Sequence, residues 1–156
     1  MSLAVDVRVL DPRLAGWGFP RWGSEGAAGL DLHACLDAPL ALAPGEAPAL
    51  IPAGFAVMIR DPDWCALVVP RSGLGHRGLV MGNGVGIIDA DYEGPLLVSA
   101  WNRNPPGTAP IAIAPGDRIA QLVFTRIARP TLRLVEEPVE TASLRGAGGF
   151  GSTGLR

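Results

Sequence analysis

An all-β fold is predicted, and two features of the chain predict it. The 156 residues include 21 glycines and 15 prolines, spread as punctuation between short apolar runs, so turns recur too often for long helices. Within several runs apolar and polar residues alternate with a period of two, which places one set of side chains on each face of a strand. At 48% hydrophobic the composition is that of a folded chain. One domain of this length buries a sizeable core without disulfides or metal.

Taken in order, residues 3–10 alternate Val5, Val7 and Val9 against Asp6 and Arg8 and read as a half-buried strand ended by Asp11-Pro12. Residues 17–29 are glycine-rich and irregular. In residues 30–34, Leu30, Leu32 and Ala34 alternate with Asp31 and His33, so the two polar side chains share a face. Both read as ordinary solvent-facing residues, His33 having no neighbour that would pair with it as ligand or base. Prolines and Gly45 confine residues 39–52 to short pieces. Residues 54–59 and 64–69 are strands separated by Asp61-Pro62-Asp63.

The second of these strands runs into Pro70-Arg71-Ser72-Gly73-Leu74-Gly75, a turn that offers a guanidinium, a hydroxyl and backbone N–H groups to phosphate oxygens. It lacks the Gly-Lys-Ser/Thr ending of a P-loop. His76 and Arg77 lie in the same loop, without an assigned role. Residues 82–95 read as a β-hairpin with an acidic turn. Gly82, Gly84 and Gly86 remove side chains from one face of its first arm, so that a planar ligand lies against the backbone. Asp89-Ala90-Asp91-Tyr92 then places two carboxylates and the single tyrosine of the chain in a tight bend.

Residues 96–101 are apolar almost throughout, which suits a strand covered on both faces by a second sheet or a neighbouring subunit. Ile111 and Ile113 mark a short strand, and 118–124 a further one carrying Gln121, either a solvent-facing strand residue or an amide aimed into a cleft. Residues 131–135 read as a last strand before an acidic stretch ending at Glu140. The segment 145–154, with five glycines but also Arg145, Phe150, Ser152 and Thr153, is either a frayed terminus or a lid that stacks an aromatic on a base and closes on phosphates.

A formal net charge of -2 with no basic block argues against nucleic acid as the main partner. All 13 basic residues are arginine, which suits bidentate phosphate contacts. Cys35 and Cys65 stand apart in apolar runs without metal-ligand spacing, as buried free thiols in a reducing compartment do. No apolar run approaches the ~20 residues of a membrane span, and no secretory leader is visible. A soluble, cytoplasmic protein with no membrane partner is expected.

Five segments, in this order and spacing, resemble the motifs of the trimeric dUTP pyrophosphatases (dUTPases): residues 28–32, 70–75, 86–94, 116–122 and 145–154. The resemblance implies an antiparallel β jelly-roll, residues 1–140, with a flexible glycine-rich arm, residues 141–156, in a homotrimer whose three active sites lie between subunits. It implies hydrolysis of dUTP to dUMP and pyrophosphate, with Mg²⁺ held mainly by the substrate phosphates and Asp31 supporting the metal through water. Asp89 then orients and deprotonates the attacking water. Ser72, Gly73, Gln121 and Arg71 bind phosphate; Asn83, Gly86 and Ile88 read the uracil; Tyr92 lies against the deoxyribose. Arg145, Phe150, Gly151, Ser152 and Thr153 of the arm cover base and phosphates. The loop 75–78 is slightly shorter than in other members, which leaves His76 and Arg77 without a carried-over role. Two rivals are a dCTP deaminase of the same fold, which needs a glutamate beside the pyrimidine where this chain has its Asp-Ala-Asp-Tyr turn, and a catalytically silent jelly-roll, which would not need Asp89 or the arm.

Overall fold

The computed structural model describes residues 3–136. Eleven strands and two short helices follow in order: β1 (Asp6–Val9), α1 (Arg13–Gly16), β2 (Leu30–His33), β3 (Leu40–Leu42), β4 (Ala49–Pro52), β5 (Phe55–Met58), β6 (Trp64–Pro70), α2 (Ser72–His76), β7 (Leu79–Met81), β8 (Gly86–Ile88), β9 (Leu97–Asn102), β10 (Ile111–Ile113) and β11 (Arg118–Arg126). Every pairing is antiparallel. A four-stranded sheet runs β2-β11-β6-β8, a three-stranded sheet β4-β9-β7, and two ribbons join β1 to β5 and β3 to β10.

The core lies where the inner faces of these sheets meet. Leu32, Leu122 and Val68 enter it from the four-stranded sheet, Ile51, Val98 and Leu79 from the three-stranded sheet, and Phe55 and Val57 from β5. Side chains of this kind each stabilise the fold by about 1.5–3 kcal/mol when fully buried. Leu14 of α1 is fully buried at one end, and the Phe19 and Phe55 rings meet at 4.4 Å.

Several expectations are corrected by this packing. Asp31 and His33 do not face solvent: all four residues of β2 are buried. Leu30 and Leu32 fill the core, while the opposite face is roofed by Trp17 over His33, at 6.0 Å between rings, and by two arginines over Asp31. A period of two reports two faces, not which of them water reaches. β1 is exposed along its length because among the described residues only β5 pairs with it. β9 buries Val98, Ala100 and Asn102, but Leu97 and Trp101 are exposed, so one of its faces remains open. Residues 131–135 form no strand. They have the alternation, but no edge pairs with them, and Leu134 is 97% exposed.

Residues 82–95 are not a hairpin either. β8 pairs with β6, and β9, next in the chain, joins the other sheet. Two of the three glycines have an internal cause. A Cβ on Gly82 would collide with the ring of Pro48, and one on Gly86 would lie 3.1 Å from Val68 Cβ. Gly84, at φ 76°, takes the left-handed conformation of a tight turn with open space around it.

Gly54 is the most constrained turn residue. It has φ 81°, its carbonyl accepts from the Leu10 and Asp11 amides, and a Cβ there would run into Cys35 Sγ, with Asp11 Cβ and Leu14 Cδ1 at 3.0 and 3.1 Å. Nearby, Arg13 Nη2 and Asp11 Oδ2 are 2.6 Å apart, and Arg13 also reaches Asp37 at 3.1 Å. The Arg13 hydrogen bond holds the Asp11 carboxyl down at about 2, and burial raises the Cys35 thiol to about 11. Both cysteines are buried free thiols.

Two consequences are measurable by urea unfolding. Gly54→Ala should lose about 2–4 kcal/mol, from left-handed strain plus overpacking, seen as a lower midpoint; an unchanged midpoint would show that neither constraint is real. Because the Asp11 carboxyl sits below its ordinary 3.8 when folded, its contribution is full above that pH and disappears as pH falls through about 2. Asp11→Asn should therefore lose less stability than wild type between these limits, and parallel pH profiles for the two proteins would contradict the assignment.

Candidate active site

The register of the four-stranded sheet sets Asp31 opposite Gln121 and Gln121 opposite Val69. Paired residues project from one face, here the face turned away from the core. Asp31, 7% exposed, receives Arg71 Nε at 2.9 Å on Oδ1 and Arg118 Nη1 at 3.1 Å on Oδ2. Arg71 Nη1 also donates to the Arg118 carbonyl at 3.3 Å. One carboxylate thus fixes two guanidiniums from different strands. Gln121 is neither solvent-facing nor free: its Nε2 donates to the Pro70 carbonyl at 3.0 Å. Its Oε1 lies where a Cβ on residue 29 would stand, so Gly29 is required for the amide to lie there.

Ser72 and Gly73 do not form a turn. They open α2 directly after β6, with Arg71 extended at φ -80°, ψ 140° and the Gly75 amide donating to the Arg71 carbonyl at 2.8 Å. Asp31, Arg71, Ser72, Gly73, Arg118 and Gln121 line a cleft of about 540 Å³, which Arg77 also borders. Three guanidiniums therefore face a single carboxylate. A surplus of positive charge, a hydroxyl and a half-buried amide suit a multiply charged anion.

His33 sits beside this cleft, 4% exposed, with no hydrogen-bond partner at Nδ1 among the described residues. Burial pushes its imidazole below the usual range. Asp31 opposes this, and the Arg118 and Arg71 charges reinforce it.

A second group lies at the other edge of the sheet. Asn83 and Asp89 are exposed, while Gly86 and Ile88 are half-buried on β8. Tyr92 folds back over Gly94 and donates its hydroxyl to the Pro95 carbonyl at 3.0 Å. The turn is pinned from Arg60, whose amide donates to the Ala90 carbonyl at 2.9 Å and whose guanidinium pairs with Asp6 at 3.0 Å and Glu93 at 3.8 Å. Arg60 has φ 56°, left-handed for a non-glycine residue.

These groups do not meet within one chain. Gln121 pairs with Val69 and Ile88 with Ala66, so Asp89 lies two strand spacings and four residues from Gln121, about 16 Å at the usual sheet dimensions. Arg145, Phe150, Gly151, Ser152 and Thr153 lie outside the described residues.

Arg118 and Arg60 escaped the sequence reading. Arg118 and Gln121 have opposite parity in a regular strand, but the β11 register against β2 shifts between Arg118 and Ala120, and that bulge turns Arg118 onto Asp31. For Arg60 the only available sign was its place before Asp61-Pro62. Among the described residues no three His, Cys, Asp or Glu side chains are grouped to hold a metal ion. No described helix is long and apolar enough to cross a membrane.

Known proteins resemble this chain along nearly its whole length. The dUTPase family profile matches residues 16–154. The deoxyuridine 5'-triphosphate nucleotidohydrolase of Xanthomonas campestris pv. campestris (strain B100) is 54% identical over 158 residues, spanning 100% of both chains. The protein of that name in Xanthomonas oryzae pv. oryzae (strain MAFF 311018) is 54% identical over 98% of this chain and 96% of its own. Among solved structures, a Staphylococcus bacteriophage 80alpha dUTPase mutant with dUpNHpp superposes at TM-score 0.82, with 28% identity, over 99% of this chain and 100% of that one. A mutant dUTPase from phage phi11 of S. aureus, described for its coordination of a structural Mg(II) ion, does so at TM-score 0.69 and 27% identity over 86% and 97%. With the five segments of the sequence, the antiparallel strand arrangement and full-length relatives all converging, this chain belongs to the dUTPase family.

Proposed function

We propose that the protein hydrolyses dUTP to dUMP and pyrophosphate, limiting uracil incorporation into DNA and supplying dUMP for dTMP synthesis. The observation that carries this reading is the anion cleft in which Asp31 aligns Arg71 and Arg118 beside Ser72 and Gln121, in a chain of this family. Water attacks the α-phosphorus, Asp89 takes its proton, and the bond from the α-phosphorus to the bridging oxygen breaks, releasing pyrophosphate. Negative charge grows on the α-phosphate oxygens in that step. Ser72 and Gln121 donate hydrogen bonds to it, and the Arg71 guanidinium, held in place beforehand, adds positive charge without reorganising.

Mg²⁺ supplies charge neutralisation on the triphosphate when bound. The side chains fit an ion that takes phosphate and water oxygens, as this hard cation prefers. No protein cage is grouped among the described residues, and Asp31, with each oxygen engaged by an arginine, reaches a hydrated ion only through water.

The homotrimer belongs to the same proposal. A water held by Asp89 must lie beside a phosphate held by Ser72 and Gln121, yet about 16 Å of sheet separates Asp89 from Gln121 in one chain. A second copy supplies the missing half, with Asn83, Gly86 and Ile88 reading the uracil edge and Tyr92 packing on the deoxyribose. The close backbone excludes the methyl of thymine, and cytosine would leave buried polar groups unpaired. Unpartnered apolar surface supports association: Leu50, Leu97 and Trp101 on one sheet, and Leu132 and Leu134 near the end of the described chain, are all exposed. The segment 141–156 is assigned the arm, with Phe150 over the base and Arg145, Gly151, Ser152 and Thr153 on phosphates. A cytoplasmic location is consistent with the two free thiols.

Pyrophosphate release is expected from dUTP and not from dCTP, dTTP or UTP, and a chelator should abolish it. Ammonia release from dCTP would point to deamination, and inertness toward all four would point to a binding module. Asp89→Asn should bind dUTP yet lose about 10²-fold or more of turnover. Mixed and reassembled with Gln121→Ala, it should regain activity toward about a quarter of wild type, since some sites then draw both intact residues from different subunits. A mixture no more active than its parts would rule out shared sites.

A further inference from the structure

We infer that Arg77 is a binding residue for the terminal phosphates of the substrate, those released as pyrophosphate. This rests on the proposed hydrolysis and extends it to a residue to which the motif resemblance gives no role.

Three observations carry it. First, charge: of the three guanidiniums at the cleft, Arg71 and Arg118 share the Asp31 carboxylate. Among the described residues Arg77 has no ion-pair partner. Its charge is the part of the cleft least neutralised by the described residues.

Second, its root is fixed while its side chain is exposed. The Arg77 amide donates to the Gly73 carbonyl at 3.3 Å, and its own carbonyl accepts from Asn104 Nδ2 at 2.9 Å. Gly78, at φ 106°, follows, and a Cβ there would collide with the Asn104 amide. The Arg103 amide then donates to the Gly78 carbonyl at 3.0 Å. A charge at a helix C-terminus is an inadequate account of Arg77, because α2 has only five residues and its final carbonyls are served by backbone and by Asn104.

Third, its position extends the site in the required direction. Arg77 stands between the main cleft and an adjoining one of about 280 Å³, both lined by Arg71, Leu74, Arg77 and Arg118. Along α2 it lies about 7 Å beyond Ser72, on the order of the length of a diphosphate. With the α-phosphate at Ser72 and Gln121, the β- and γ-phosphates point toward Arg77.

Direct binding separates this role from a structural one and does not require turnover. Calorimetric titration of the whole protein with magnesium pyrophosphate and, separately, with dUMP should show about tenfold weaker pyrophosphate binding in Arg77→Ala, unchanged dUMP binding, and partial recovery in Arg77→Lys. Arg8→Ala, which removes the same charge from β1, should bind both ligands like wild type. Pyrophosphate affinity unaltered in Arg77→Ala, an equal loss for dUMP, or no pyrophosphate binding by wild type would each overturn the inference. If wild type binds pyrophosphate through Arg77 but fails to hydrolyse dUTP, the hydrolase reading falls and the anion site stands.

Discussion

The carboxylate of Asp31 is the constraint on which the arginine-lined cleft of this molecule depends. Burying a charge is costly unless it is paired and hydrogen-bonded, and here both oxygens are engaged, by Arg71 from the end of β6 and Arg118 from the start of β11. The interaction therefore ties β2, β11 and the β6–α2 junction together at one end of the four-stranded sheet. It also sets the cleft's electrostatics. Removing Asp31 would leave two guanidiniums unpaired and free to rotate, whereas keeping it leaves them aimed, half-neutralised and still able to donate outward. Structural tie and proposed anion site are thus one arrangement, and the same two arginines serve both.

The turn at residues 89–93 is held by different means. Among the described residues no buried ion pair fixes it; instead Arg60 takes a left-handed backbone conformation so that its amide meets the Ala90 carbonyl while its side chain lies between Asp6 and Glu93. Strain of this kind costs about 1–3 kcal/mol and persists only where the surroundings overdetermine it. Ala90 is buried, so the turn's root is anchored in the core while Asp89 projects outward. A carboxylate presented on a rigid, exposed turn is suited to act on something outside its own chain.

What could be read in the sequence, and what could not, follows from which interactions are local. The strands at 54–59, 64–69, 111–113 and 118–124 were legible because alternation and flanking Gly or Pro are properties of neighbours in sequence, and β5, β6, β10 and β11 lie there. The motifs placed Arg71, Ser72, Gly73 and Gln121 in one site, and they do line one cleft. The burial of Asp31 and His33 was not legible, since it depends on Trp17, Arg71 and Arg118 arriving from elsewhere. Arg118 was hidden by a bulge that breaks the parity on which facing is judged. The hairpin expected at 82–95 failed for a related reason. Glycine spacing showed that side chains were unwelcome, but the excluding groups were Pro48 and Val68 of the same chain, and β6 captured the arm that a return strand was expected to pair.

That correction narrows where a base can approach. Gly82 and Gly86 turn their missing side chains toward the protein, whereas Gly84 faces open space at φ 76°. Of the three, only Gly84 leaves backbone uncovered for a reason that packing within the chain does not explain, and Asn83 beside it is exposed. In the proposed reading, uracil selectivity rests on the short stretch from Asn83 to β8, held in place from behind by the packing that Gly82 and Gly86 permit. On that reading the glycine spacing serves two ends: the outer glycines set the backbone against the core, and a backbone so fixed would make a methyl group on the base a steric penalty rather than something the loop can yield to.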